Sequence, residues 1–180
     1  MCRLEIIIGC MFSGKSTELI RRMKRLRVLR KNMLIINSSK DTRQKSDVIN
    51  THDNVSLECV KTDNLDDIFK LDTYVKSHII AIDEAQFFKN LRKFVEQCIV
   101  DRKYIIVAGL DGDFKQNIFG EIIDLIPLAD DVTKLHALCK ECNDGTLASF
   151  SKRLVSDDNQ ELVGASDMYT SVCRKHLGKN

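Results

Sequence analysis

One octapeptide near the start of the chain limits its possible folds more than any other feature. Residues 9–16 read Gly-Cys-Met-Phe-Ser-Gly-Lys-Ser and fit the pattern G-x-x-x-x-G-K-[ST]. An apolar segment, residues 4–8, precedes the pattern, and apolar residues at helical spacing follow it over residues 17–30. In this setting the pattern predicts a phosphate-binding loop (P-loop), in which backbone N–H groups and a helix N-terminus face phosphate oxygens. Lys15 would neutralise phosphate charge and the Ser16 hydroxyl would face Mg²⁺.

Apolar segments of strand length recur between amphipathic segments along the first 135 residues. The strand-like segments are 4–8, 33–37, 78–83 and 104–109, and the helical patterns cover 17–30 and 91–99. This alternation predicts an α/β fold, with a parallel sheet and helices on both of its faces. A length of 180 residues corresponds to one full domain and a small appendage. We therefore expect a P-loop domain over residues 1–135 and a smaller domain over 136–180, with strand-like pieces at 150–155 and 161–164.

Two acidic residues stand at the end of the third apolar segment. Open α/β sheets bind ligands at the carboxyl ends of their strands, where Asp83 would face the metal side of the site. Neighbouring side chains at a strand end point in different directions, so Glu84 could face an attacking oxygen as a general base. The alternative is a pair of solvated loop acids. Such a core serves ATPases, GTPases and kinases alike, and the absence of an Asn-Lys-x-Asp motif disfavours the GTPases.

Two C-x-x-[CH] pairs lie near the end of the chain, and they comprise Cys139, Cys142, Cys173 and His176. Three thiolates and an imidazole can complete a closed tetrahedral Zn²⁺ site. Four protein ligands leave no position for catalytic water, so we expect a structural zinc that holds a tail with little core of its own. A redox C-x-x-C and a set of plain buried thiols are the alternatives. The odd total of seven cysteines argues against a secreted disulfide framework and favours a reducing, cytoplasmic setting.

Charge and hydropathy disfavour two classes of partner. The chain has 28 basic and 26 acidic residues, a net charge of +2, which does not favour nucleic acid as a partner. The basic residues of the first predicted helix are better explained as a solvated face or a subunit contact. No apolar segment approaches the roughly 18 residues that would cross a membrane.

Several motifs taken together resemble the small, zinc-containing thymidine kinases of cells and large DNA viruses. The resemblance covers nearly the whole chain and is carried by residues 9–22, Asp41-Thr-Arg, Thr51-His-Asp, Asp83-Glu-Ala-Gln-Phe-Phe, Leu110-Asp-Gly-Asp-Phe, residues 119–129, Ser151-Lys-Arg and residues 167–174. It implies a RecA-like P-loop sheet and transfer of the γ-phosphoryl group of ATP, with Mg²⁺, to the 5′-hydroxyl of thymidine or deoxyuridine. It also implies a homotetramer that the end product dTTP inhibits.

The resemblance also implies residue roles by motif position. Glu84 would deprotonate the 5′-hydroxyl, Arg43 would contact the transferring phosphate, and Asp83 would support Mg²⁺ through water. ATP and its metal would be held by Gly9, Met11, Phe12, Ser13, Gly14, Lys15, Ser16 and Thr17. The nucleoside would contact Met11, Phe87, Leu110, Phe114, Phe119, Ser151 and Tyr169. The segment between the two metal-ligand pairs would form a lasso that closes over thymine and is anchored by zinc.

The chain departs from the common pattern of that family at four places: Cys10 replaces Pro, Ala85 replaces Gly, His176 replaces Cys, and residues 113–118 read Asp-Phe-Lys-Gln-Asn-Ile instead of Thr-Phe-Gln-Arg-Lys-Pro. Asp113 adds an acid beside the expected nucleoside pocket, where it could alter the range of substrates. Two other functions remain as alternatives. One is a P-loop ATPase whose zinc module binds nucleic acid, and the other is a nucleotide-dependent binding protein without turnover.

Overall fold

The computed structural model describes residues 2–41, 48–50, 56–162, 164 and 166–178. Its helices are α1 Lys15–Leu26, α2 Asp72–Lys76 and α3 Leu91–Val100. Its strands are β1 Arg3–Gly9, β2 Met33–Ser38, β3 Val48–Asn50, β4 Ser56–Glu58, β5 Val60–Thr62, β6 Ile79–Ile82, β7 Tyr104–Gly109, β8 Asp131–Leu135, β9 Ala137–Leu138, β10 Leu147–Ala148, β11 Phe150–Arg153 and β12 Tyr169–Val172.

A six-stranded sheet in the order β5-β2-β6-β7-β1-β8 forms the centre of the molecule. Every neighbouring pair in it is parallel. Strand β7 lies between β1, which leads into the P-loop, and β6, which leads into Asp83. Because the strands are parallel, the P-loop and Asp83 emerge from the same edge of the sheet. The predicted α/β class is confirmed.

Apolar residues cover both faces of this sheet. On one face Leu19, Ile20 and Met23 of α1 pack against Ile7 and Ile106. On the other face α3 and 3₁₀ turns pack against the alternate residues of β1, which include Leu4, Ile6 and Ile8. Burial from both sides explains why β6 and β7 are continuous apolar runs instead of alternating ones. Helices on both faces are therefore confirmed.

The described residues of the tail, 136–162, 164 and 166–178, contain two small antiparallel ribbons beside the P-loop. Strand β9 pairs with β10, and β11 pairs with β12. The predicted strand at 150–155 is present as β11, but the one predicted at 161–164 is wrong, since residues 161, 162 and 164 have irregular backbone. The carbonyl of Leu162 accepts a hydrogen bond from the Tyr169 hydroxyl instead of from the backbone of a neighbouring strand. The strand that pairs with β11 is β12, which was not predicted.

The tail packs on the P-loop through a small apolar cluster. Cys10 of the loop is buried there with Ala137, Ala148, Val172 and Leu177. The tail and the sheet thus share a core at this contact, and the boundary near residue 136 stays a prediction. Among the described residues no helix is both long and apolar enough to span a membrane.

Candidate active site and metal cluster

The P-loop connects β1 to α1 through backbone that favours glycine. Gly9 and Gly14 have φ of 151° and 83°. A Cβ atom on Gly9 would lie 2.4 Å from the carbonyl oxygen of Leu135, so only glycine fits that position. Lys15 opens α1, is buried, and donates from Nζ to the carbonyl of Cys10 at 2.8 Å. Burial lowers the pKa of Lys15, and the negative charges of Glu84 and other nearby groups oppose that effect.

The two predicted acids lie beside this loop. Asp83 directly follows β6 and is 3% exposed. Burial, together with the negative charge of Glu84, raises the pKa of Asp83 to about 7, although the Ser16 hydroxyl donates a hydrogen bond to it. Glu84 has φ of 50°, in the left-handed region, and its Oε2 accepts from Nε2 of Gln86 at 2.6 Å. Two buried or half-buried carboxylates next to a serine hydroxyl form a site where a cation would relieve unfavourable charge.

A cavity of about 320 Å³ joins the P-loop, the acids and the tail. Its lining includes all seven residues predicted for the nucleoside: Met11, Phe87, Leu110, Phe114, Phe119, Ser151 and Tyr169. Of the residues predicted for ATP and metal, Met11, Phe12, Gly14, Lys15, Ser16, Thr17 and Asp83 line it, as does Glu84. Gly9 and Ser13 do not line the cavity, and the buried Ser13 hydroxyl has no hydrogen-bond partner within the described residues. Arg43 lies outside the described residues.

Aromatic side chains form the apolar walls of the cavity. The rings of Phe87 and Phe119 meet edge to face, with centroids 5.6 Å apart. Phe114 stacks against the guanidinium of Arg153 at 3.7 Å. Flat walls of this kind suit a planar aromatic base, because offset and edge contacts are favourable for π systems.

Arg153, which the sequence reasoning did not single out, fixes one side of the cavity. Its side chain is 2% exposed. It donates to the carbonyls of Asp157 and Asn159, each at 2.6 Å, to that of Gln160 at 3.3 Å, and to the Tyr169 hydroxyl at 2.6 Å. A basic residue in a short strand gives no signal in the sequence that it will be buried against backbone carbonyls. Arg153 therefore holds the lining segment 157–162 in place.

Asp113 is the acid that departs from the common family pattern, and its carboxylate is engaged within the protein. Its Oδ1 accepts from the backbone N–H groups of Lys115 and Asn117 at 2.8 and 2.9 Å. Its Oδ2 accepts from Nε2 of Gln160 at 2.8 Å. Asp113 lines the cavity, but its oxygens bind a turn and the segment 157–162.

The second site is the Cys/His cluster, where the structure brings Cys139, Cys142, Cys173 and His176 together. One ligand atom from each lies within 4.8 Å of the others. The Cys142 Sγ is 3.8 Å from Cys173 Sγ and 3.3 Å from Nδ1 of His176, which is 3.6 Å from Cys173 Sγ. Tetrahedral Zn²⁺ with bonds of about 2.0–2.3 Å places its ligand atoms roughly 3.5–3.8 Å apart. The cluster could therefore hold a metal ion and is consistent with zinc.

The surroundings of Cys139 in this cluster favour its thiolate form. Although burial opposes ionisation, hydrogen bonds from the backbone N–H groups of Cys173 and Cys142 lower the pKa of Cys139 to about 6. The thiolate is the form that binds a metal ion. The redox alternative lacks support in the geometry, because the pair Cys139 and Cys142 does not open a helix.

Basic residues of α1 bind acids of the protein itself. Arg22 donates from Nη1 to Glu5 at 2.6 Å and from Nη2 to Thr133 at 2.8 Å. Glu18 accepts from both Arg21 and Arg22. The Arg21 guanidinium, opposed by burial and aided by Arg22, lowers the pKa of Glu18 to about 2. These contacts fasten α1 to β1 and β8.

Comparison with known proteins gives matches over almost the full length. A family model described as thymidine kinase matches residues 2–177. The thymidine kinase of myxoma virus (strain Uriarra) is 47% identical over 173 residues, which cover 96% of this chain and 94% of that protein. Thymidine kinase a of Arabidopsis thaliana is 45% identical, over 98% of this chain and 75% of the relative. The cytosolic thymidine kinase of Gallus gallus is 41% identical, over 96% and 75%. The matched range contains the P-loop, both acids and the metal cluster.

Proposed function

The chain belongs to the thymidine kinase family, and from this premise we propose that it transfers the γ-phosphoryl group of ATP to the 5′-hydroxyl of thymidine and deoxyuridine. The product of the first reaction is thymidine monophosphate, a precursor for DNA synthesis recovered by salvage. The observation that carries the proposal is one cavity that holds a P-loop, Glu84 and aromatic walls together. A P-loop alone would equally suit an ATPase, whereas the aromatic walls add a place for a second substrate.

Phosphoryl transfer depends mainly on positioning and on stabilising charge. Backbone N–H groups of the P-loop and the N-terminus of α1 would hold the phosphates of ATP, and Lys15 would stabilise charge on the transferring group. In the described structure the Lys15 ammonium donates to the Cys10 carbonyl oxygen. When ATP binds, a phosphate oxygen would replace that carbonyl as the acceptor. The buried Ser13 hydroxyl of the same loop has no hydrogen-bond partner among the described residues and would be a further donor. We assign Arg43 to the transferring phosphate on its motif position alone.

Glu84 is our proposed general base. It would accept the proton of the 5′-hydroxyl while the 5′-oxygen bonds to phosphorus and ADP leaves. Its backbone lies in the left-handed region, at φ 50°. Neighbouring side chains at a strand end point in different directions, so the two acids can serve different partners. Phe87 and Phe119 on one wall and Phe114 on another would hold the thymine ring.

The metal requirement follows from the residues present. The Ser16 hydroxyl and the buried Asp83 carboxylate fit Mg²⁺, a hard cation that prefers oxygen ligands, with Asp83 acting through water. When bound with ATP, Mg²⁺ neutralises charge on the phosphate oxygens. The Cys139, Cys142, Cys173 and His176 cluster would hold a structural Zn²⁺ that anchors both ends of the lasso.

The assembly and regulation we propose come from the family resemblance. They are a homotetramer, feedback inhibition by dTTP, and a cytosolic location such as the name of the Gallus gallus relative gives for that protein. Neither nucleic acid nor membrane is a proposed partner. Light scattering of the purified protein measures its oligomeric state, and the rate of thymidine phosphorylation with and without dTTP measures the inhibition.

A product assay tests the proposed reaction. Purified protein is incubated with MgATP and thymidine, deoxyuridine, deoxycytidine or no nucleoside, and nucleoside monophosphate and free phosphate are measured separately. We expect thymidine monophosphate to appear in step with ADP, with little free phosphate. Release of ADP and free phosphate at the same rate without nucleoside would instead favour an ATPase, and its stimulation by DNA would favour the nucleic-acid alternative.

A further inference from the structure

A buried amide next to the proposed base is not used by the mechanism above. Gln86 lies in the 3₁₀ turn Ala85–Phe87, two residues after Glu84, and is 3% exposed. It reaches the wall of the cavity near Leu110. Its side-chain amide makes two hydrogen bonds, one on each of its ends. A buried amide with a hydrogen bond at each end has one defined orientation. That orientation shows which partner accepts from it and which donates to it.

The orientation of the Gln86 amide follows from its partners. Its Oε1 lies 3.0 Å from the backbone N–H of Leu110, and an N–H can only donate, so the amide oxygen must face Leu110. The NH₂ group then faces Oε2 of Glu84 at 2.6 Å. An amide NH₂ can only donate, so this oxygen of Glu84 acts as the acceptor.

The surroundings hold Gln86 in this position. A Cβ atom on Gly120 would lie 2.3 Å from the Gln86 carbonyl oxygen, and one on Gly109 would lie 2.8 Å from its Oε1. Gly120 also has φ of 65°. Two glycines thus allow backbone from two other segments to approach Gln86 closely. The close packing leaves the amide little freedom to turn away from Glu84.

We propose that Gln86 is a positioning residue that sets the direction of the Glu84 carboxylate. By holding Oε2, it directs Oε1 of Glu84 to the 5′-hydroxyl of the nucleoside. In the transfer step that hydroxyl proton moves to Oε1, the 5′-oxygen forms its bond to the γ-phosphorus, and the bond from phosphorus to ADP breaks. This inference rests on the proposed function, and in particular on Glu84 as the base.

Loss of the Gln86 amide donor leaves the Glu84 carboxylate chemically unchanged but no longer held in the orientation that faces the 5′-hydroxyl. A carboxylate that has lost one of its hydrogen bonds spends less time in the productive geometry, and misplacement of a reacting group by about 1 Å can cost roughly 100-fold in rate. We therefore expect Gln86→Met to lower kcat by about 10- to 100-fold, with the KM for thymidine and for ATP within about threefold of the parent values. Gln97→Met is the matched control, because Gln97 donates to a carboxylate, that of Asp101, on the surface of α3.

A double-mutant cycle separates positioning from a merely structural role. If Gln86 acts only through Glu84, then Gln86→Met has no further effect once Glu84→Gln has removed the base, and the double variant matches Glu84→Gln within about twofold. A double variant whose rate loss equals the product of the two single-variant losses would overturn the proposal. A raised KM for thymidine at unchanged kcat would also overturn it, because Gln86 would then contact the nucleoside itself.

Two further measurements keep the outcomes distinct. Melting temperature and binding of an ATP analogue show whether each variant is folded. If Gln86→Met does not fold, Gln86→Leu takes its place in the cycle with the same expected result, since leucine also lacks the amide donor and adds no charge beside Glu84. A parent protein that makes no thymidine monophosphate contradicts the proposed function, whereas an active parent with fully active Gln86 variants contradicts only this inference.

Discussion

Replacement of Arg153 by methionine tests how the nucleoside wall is held together. The side chain is 2% exposed, and it links Phe114 on the sheet side to the segment 157–162 and to Tyr169 on the tail side. Methionine has similar length and preserves apolar packing against Phe114, but it cannot donate a hydrogen bond. The substitution therefore removes the donors and changes the volume little.

The size of the effect follows from these bonds. A hydrogen bond from a charged group contributes about 1.5–3 kcal/mol, and a desolvated cation–π contact adds about 2 kcal/mol. The carbonyls of Asp157, Asn159 and Gln160 can bind water once the segment leaves the wall, so the net loss is smaller than the sum. We expect about 2–4 kcal/mol in favour of local opening. Because about 1.4 kcal/mol is a factor of ten, the KM for thymidine should rise about 30- to 700-fold.

Steady-state kinetics and hydrogen exchange measure this change. The KM for ATP should stay within about threefold, since the P-loop does not contact Arg153 through any described hydrogen bond. Amide exchange in residues 157–162 should become faster, while exchange in β1 and β7 should not. Arg92→Met is the control, because Arg92 also donates to a backbone carbonyl, that of Asp124, but lies exposed on α3.

Two results would refute this reasoning. A thymidine KM within threefold of the parent value, together with unchanged exchange in residues 157–162, would mean that the segment holds its place without Arg153. An equal rise in the KM for ATP would mean that the substitution disturbs the whole site and not one wall of it.

Three further changes have defined outcomes. We expect the parent protein to carry about one zinc ion per chain, and Cys142→Ser should lower that content and raise the KM for thymidine more than the KM for ATP; unchanged zinc content by atomic absorption would contradict the cluster. Glu18, whose pKa falls from 4.5 to about 2 beside Arg21 and Arg22, contributes stability above about pH 4.5 that is lost as the pH falls toward 2. Glu18→Gln should therefore cost about 1 kcal/mol or less in urea unfolding at pH 6, and the difference should shrink by pH 3; a constant difference would refute the assignment. Asp113→Thr should leave the preference for thymidine over deoxycytidine within threefold, because the Asp113 oxygens already accept from two N–H groups and one amide; a tenfold change would show that it contacts the base.

The parts of this protein that could be predicted from sequence are those encoded over short stretches. The P-loop depends on a strand, eight residues and a helix in direct succession, and Asp83 depends on one apolar strand before it. The metal cluster consists of two pairs with fixed internal spacing, which the sequence shows directly. That the two pairs, 31 residues apart, lie next to each other is seen only in the structure. The α/β class followed from the alternation of apolar segments, since burial on both faces leaves a continuous apolar run.

The parts that could not be predicted depend on contacts between distant residues. Arg153 is buried because backbone carbonyls of an irregular segment surround it, and no residue pattern encodes such a segment. The strand predicted at 161–164 is wrong because its backbone and side chains bond to Tyr169 and Lys40 instead of to a neighbouring strand. The role of Gln86 depends on Leu110, which is 24 residues away, and on the direction of a single amide.

The proposed reaction depends on Glu84, which lies in the same cavity as the P-loop, to remove the proton from the nucleoside hydroxyl. A single-turnover measurement with Glu84→Gln, MgATP and thymidine tests it directly, with binding of an ATP analogue recorded on the same sample. We expect formation of thymidine monophosphate to slow by several orders of magnitude while nucleotide affinity stays within about threefold of the parent protein. Formation of thymidine monophosphate at a rate within tenfold of the parent would contradict it.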